Sequence, residues 1–180
     1  MIGATVERWA TRRIAVAALV GVVACVAGLA WRQARLAGLD LLDSRGWYTP
    51  ADAAALFDAL DRLDPSGRVV YATTALTIDM VFPASYGLLI AILLFRLFRG
   101  GPPLYLLPLM VALSDALENV TVAALALSHD GAPSPLAWLA AVFTLVKFVL
   151  FMATLAVTGV GGGRWLWRRT RPHADQGPAP

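Results

Sequence analysis

Four stretches of this chain are apolar for long enough to cross a lipid bilayer, and no other feature limits its fold so tightly. A helix needs about 20 mostly apolar residues to span the hydrocarbon core. Ile14–Trp31, Val69–Phe95, Leu104–Ser128 and Pro135–Val160 approach or exceed that length. Inside hydrocarbon every backbone N–H and C=O has to be satisfied within its own segment, so each stretch reads as α-helix. The sequence therefore predicts an all-α membrane protein, a bundle of four transmembrane helices. Its composition agrees: 58% of residues are hydrophobic and 15% charged, against about 45–50% and 25% in soluble domains.

The domain plan is a basic N-terminal segment (1–13), a four-helix transmembrane domain (14–160) and a basic tail (161–180) that ends in proline-rich disorder. An outer loop (32–68) interrupts the transmembrane domain. Tryptophan supports these boundaries: Trp9, Trp31, Trp138, Trp165 and Trp167 fall at or just beyond run ends, where aromatic belts sit at the headgroups. Glycine and alanine in the first run (Ala17, Gly21, Ala24, Gly28) recur at helical spacing, which suits close packing on another helix. The apolar part of that run exceeds the 7–15 residues of a signal-peptide core, so a cleaved leader ending at Cys25 is disfavoured.

Arginine placement sets the orientation. With the N-terminus inside, the inner segments carry nine arginines and the outer segments five, namely Arg32, Arg35, Arg45, Arg62 and Arg68. That excess predicts both termini in the cytoplasm. A single cysteine and two histidines exclude a disulfide framework and a zinc site. The arginines cluster at run ends, which reads as topology and lipid contact rather than nucleic-acid binding. No cofactor is implied.

The outer loop contains a helix of its own. Thr49 is a good N-cap, Pro50 fits the first turn, and Asp52 completes a capping-box-like T-x-x-D. Ala53, Leu56, Phe57, Leu60 and Leu63 line one face, and Asp58, Asp61 and Arg62 the other. Such a helix lies on the bilayer, caps the bundle or docks a partner.

Charge inside the spans carries the functional signal. Asp79, Asp115, Glu118 and Lys147 all lie about ten to thirteen residues in from the outer ends of their runs, hence in one slab about 5 Å thick. An acid at a span centre costs roughly 2.5–3.5 kcal/mol, so Asp115, Glu118 and the neighbouring Asn119 must face other helices. Pro83 cannot donate the hydrogen bond that the Asp79 carbonyl would accept, which predicts a kink and a freed carbonyl there. Tyr86 shares that face, and Thr144 and Phe151 flank Lys147. Three acids against one lysine cannot all be ionised in a dry core, so protons, water or a cation accompany them.

The stretch "GWYTPADAAALFDAL…GRVVYATTALTIDMVFPASYG", followed by "DALEN", resembles a little-characterised group of small bacterial four-span integral membrane proteins. The shared signals are a G-Y-T-type capped helix, an aspartate before F-P and D-x-x-E-N, over residues 43 to about 150. The resemblance implies a shared fold and brings no activity. Emopamil-binding sterol isomerases are similar in outline only, since their motifs are absent.

Two expectations follow for function. One is a site in the bundle for a small polar or amphipathic ligand, or for protons, carried by Asp79, Asp115, Glu118 and Lys147 with Asn119 and Tyr86 orienting. An intramembrane enzyme acting on a lipid-soluble substrate is a variant of it. The other is an accessory or structural protein that docks a partner through its outer helix. The partners implied are the lipid bilayer, a small lipophilic or polar ligand, a protein at the outer helix and a second copy of the chain.

Overall fold

A computed structural model describes Arg8 and residues 10–99 and 101–170. Among the described residues the regular structure is helical: α1 (Arg12–Arg35), α2 (Pro50–Leu63), α3 (Gly67–Leu76), α4 (Ile78–Leu97), α5 (Leu106–Ser128) and α6 (Leu136–Thr170). One short 3-10 turn, Leu42–Ser44, lies between α1 and α2. Four helical units are long and apolar enough to cross a membrane, with α3 and α4 together forming the second. The protein is an all-α bundle of four membrane-spanning helices.

Helix α5, which carries the paired acids, is the most enclosed of the four spans. It packs along α6 on one side and along α3 and α4 on the other, while α1 packs along α4. Burying the polar face of α5 against neighbours offsets the cost of acids in a span. The enclosed stripe of α1 is Ala18, Gly21, Cys25, Gly28 and Arg32, with spacings of three and four residues. A methyl at Gly21 would stand 2.6 Å from Ser85 Oγ, so glycine permits the close approach of α1 to α4. Ala17 and Ala24, expected on this stripe, are exposed, because the contact face is one residue further round.

The second span breaks earlier than its proline suggests. Thr77 sits between α3 and α4 with φ −120° and ψ −84°, and Pro83 lies within α4. A break two residues before Asp79 thus precedes the proline at which the sequence predicts a kink. It leaves Asp79 in the first turn of α4, where the helix dipole favours a carboxylate.

Helix α2 caps the bundle. Thr49 and Asp52 form the full capping box, with the Thr49 N–H donating to Asp52 Oδ2 at 2.8 Å and the Asp52 N–H to Thr49 Oγ1 at 3.2 Å. Ala53, Leu56, Phe57 and Leu60 are buried in one apolar cluster with Leu36, Leu41, Leu42, Tyr48, Tyr71 and Val122. Leu63, expected on the same face, is exposed at the helix end. Arg68 fastens this cap, pairing with Asp61 at 2.7 Å and donating to the carbonyls of Ala126 and His129 at the end of α5. Asp58 meets His129 at 2.8 Å. Helix α6 continues to Thr170, ten residues past its expected end at Val160; the proline-rich part of the tail lies outside the described residues.

Candidate functional site

All six residues expected to form a site (Asp79, Tyr86, Asp115, Glu118, Asn119 and Lys147) belong to one connected polar network. It comes in two halves. On α5 and α6, Lys147 Nζ lies 2.7 Å from Glu118 Oε2 and 3.4 Å from Asp115 Oδ1. The contact with Glu118 is an ion pair set off the angle of a hydrogen bond, since Oε2 makes no hydrogen bond among the described residues. Thr144 Oγ1 donates to the other Glu118 oxygen at 2.8 Å, and Tyr86 Oη donates to Asp115 Oδ2 at 2.8 Å. The i, i+3, i+4 spacing of Asp115, Glu118 and Asn119 brings this about, because it places all three on the inner face of α5.

In the other half Asn119 answers the defect that Pro83 creates. Its Nδ2 donates to the Asp79 carbonyl at 2.6 Å, supplying the bond that residue 83 cannot. The Asp79 carboxylate accepts from Arg32 Nη1 at 3.1 Å, and Arg32 Nη2 reaches Asp43 Oδ2 at 2.6 Å. Tyr71 Oη, fully enclosed, donates to Asp43 Oδ1 at 3.4 Å. The Asp43 carbonyl in turn accepts from Lys147 Nζ at 3.3 Å, so this one residue of the outer loop joins the two halves.

Arg32 and Asp43 are the functional residues that sequence reasoning misses. Arg32 was expected at the outer surface as a topology signal, but only 6% of it is exposed. One signal could have found it: four residues beyond Gly28 on the packed stripe of α1 stands Arg32. No local pattern marks Asp43. It is carried inward because Leu36, Leu41 and Leu42 bury themselves between the helices and pull the loop with them. With these two added, the cluster holds two basic groups and four acids. If all four were ionised, two negative charges would lack a partner in a medium that penalises them heavily, so protons or a cationic group accompany the cluster.

Tyr48, outside the spans, closes the layer from the loop side. Its hydroxyl is buried, makes no hydrogen bond among the described residues and only approaches Thr144. Burial pushes this phenol well above its ordinary range, which keeps it neutral.

A cavity of about 330 Å³ opens beside the network. Phe82, Ile90, Phe148 and Phe151 form much of its wall, and Asp43, Tyr86, Asp115 and Lys147 supply its polar groups. Three rings are in edge contact: Phe82 with Tyr86 at 5.1 Å and Tyr86 with Phe151 at 6.4 Å between centroids. The cavity lies on the side where α1 and α6 flank the bundle without packing along one another. Asp79, Glu118 and Asn119 do not line it. Among the described residues no cluster of His, Cys, Asp and Glu could hold a metal ion.

No protein-family model, curated protein or solved structure matches the chain. Its fold and polar layer define a four-span α-helical membrane protein with a charged network inside the bundle.

Proposed function

We propose that the cavity beside Lys147 binds a small amphipathic, lipid-soluble molecule. Its polar end would meet Asp115, Lys147 and Tyr86, and its apolar body would rest against Phe82, Ile90, Phe148 and Phe151. The observation that carries this reading is the meeting of an aromatic wall and titratable groups in one space on a side where two spans are not packed together. Binding sites of this kind combine a mostly apolar lining with a few convergent polar groups. A molecule dissolved in the bilayer reaches such a space without crossing water.

The roles divide between the two halves. Asp115, Lys147 and Tyr86 contact the ligand, and Glu118 with Thr144 fixes Lys147. Arg32, Asp79 and Asn119 lie off the cavity and hold the helices in place, and Asp43, which lines it, ties Arg32 to Lys147. A partner-docking role has less support: most of the apolar face of α2 (Ala53, Leu56, Phe57 and Leu60) is spent on its own bundle.

The membrane is proposed to be a bacterial inner membrane with both termini cytoplasmic. The burial of Arg32 strengthens this reading, since it removes one of the five outer arginines from the count. Reporter fusions after residues 65, 100 and 131 test it, and a cytoplasmic signal at 65 would reverse the orientation. The ligand itself is tested by native mass spectrometry on protein purified in mild detergent. A discrete small mass retained by the wild type and lost in Ile90→Trp, at equal folded yield, is expected. Equal retention in both, or no retained molecule in any mild detergent, would refute the site.

A further inference from the structure

The end of the bundle away from α2 concentrates charge of one sign. Residues 10–20, 91–108 and 156–170 contain Arg12, Arg13, Arg96, Arg99, Arg164, Arg168 and Arg169 and no acid; Glu7 is the only acid in the first twenty residues. Between the ends of α4 and α6 this basic rim meets a groove. Its upper part, about 250 Å³, is lined by Phe98, Arg99 and Arg164. Its lower part, about 470 Å³, is lined by Leu93, Arg96, Thr158 and Leu166. Leu97 and Trp165 line both parts, so the two adjoin at these side chains.

The glycine run of α6 makes the groove. Gly161 lets the Phe98 ring lie directly on the α6 backbone, where a methyl would stand 2.6 Å from that ring. One residue on, nothing lies within 4 Å of where a methyl at Gly162 would be. The Phe98 ring thus wedges α4 and α6 together at one level, and beside it an apolar trough stays open. Arg99 and Arg164 line the upper part, Arg96 joins the mostly apolar side chains of the lower part, and Trp165, shared by both, sits where headgroups meet acyl chains.

We infer that this groove is a binding site for an anionic phospholipid, its phosphate held by Arg96 and Arg164 and one acyl chain laid along Leu93, Leu97 and Leu166. Guanidinium groups match phosphate oxygens in geometry as well as charge. Arg96 also donates through Nη2 to the Ala10 carbonyl at 2.7 Å, which holds its side chain beside the start of α1. A bound lipid would therefore tie together α1, α4 and α6 at the end opposite the loop that joins α1 to α2. The inference is independent of the ligand proposed for the cavity at Lys147, because the two spaces share no lining residue.

The test is native mass spectrometry of the full chain titrated with phosphatidylglycerol or phosphatidylcholine of identical acyl chains, with soluble glycerol phosphate as a third arm. Phosphatidylglycerol is expected to bind in preference, and Arg96→Gln/Arg164→Gln to weaken it by about twenty-five-fold, near fivefold per arginine. Gly162→Leu, which keeps both arginines and fills open space, should also lose the lipid. Equal retention of the two lipids, or an unchanged preference in the double variant, would overturn the inference. So would glycerol phosphate binding as tightly as the lipid, which would mark a plain phosphate site. Should either variant fail to fold, Arg96→Lys/Arg164→Lys decides: a retained preference with weaker binding supports the site, and no change refutes it.

Discussion

Asn119 and Pro83 should be energetically coupled although they stand on different helices. The proline removes the main-chain donor for the Asp79 carbonyl, and Asn119 replaces it at 2.6 Å in a place where the asparagine is 1% exposed. Water cannot substitute there. Leaving a buried carbonyl without a donor costs about 1–3 kcal/mol, and interhelical hydrogen bonds in membranes measure about 0.6 kcal/mol on average and about 1.7 at most. Asn119→Ala should therefore destabilise the bundle by roughly 1.5–3 kcal/mol, the lost bond adding to the cost of the small void. Pro83→Ala restores the N–H that lies four residues after Asp79 and should return part of this loss. A double-mutant cycle, read by reversible unfolding in mixed micelles or by steric trapping in bicelles, is expected to give a coupling of about 1 kcal/mol. If the two substitutions add to within about 0.3–0.5 kcal/mol, the bond does not replace the missing helical one and the reasoning fails.

Lys147→Met should destabilise the protein by about 3–5 kcal/mol, because it leaves Glu118, wholly buried, without its cation. Adding Glu118→Gln should recover part of that loss in the same unfolding assay, and no recovery would mean that the pair does not carry the effect. The outer cap should respond to acid. The hydrogen bond to His129 holds the Asp58 carboxyl below its ordinary value of 3.8, so the folded state favours the carboxylate. Its contribution is present above 3.8 and disappears as pH falls through the lower folded value. Hydrogen exchange over residues 50–63 should thus accelerate only in strong acid, and Asp58→Asn should exchange faster at neutral pH and lose that dependence.

The parts legible in the sequence are those set by one-dimensional pattern. Span positions follow from run length, the α2 cap from Thr49 and Asp52, and the inward face of α5 from the spacing of Asp115, Glu118 and Asn119. Pro83 even marks the carbonyl that needs a donor. What stayed hidden depends on how distant segments fit together. Arg32 looks like an interfacial charge until the α1 stripe is known to end on it. Asp43 enters the network only because neighbouring leucines draw a loop between helices. The break at Thr77 has no proline to announce it, and the cavity exists only because α1 and α6 stay apart.

The central claim is that the space beside Lys147 receives a defined ligand rather than bulk lipid. Its most direct measurement places a photo-reactive benzophenone derivative of phenylalanine at Phe151, in the cavity wall, and separately at Val149, which is 60% exposed on the bundle surface. After illumination in native membranes, mass spectrometry should find one dominant adduct at residue 151 and a mixture matching the bilayer at residue 149. The same lipid mixture at both positions would contradict the claim.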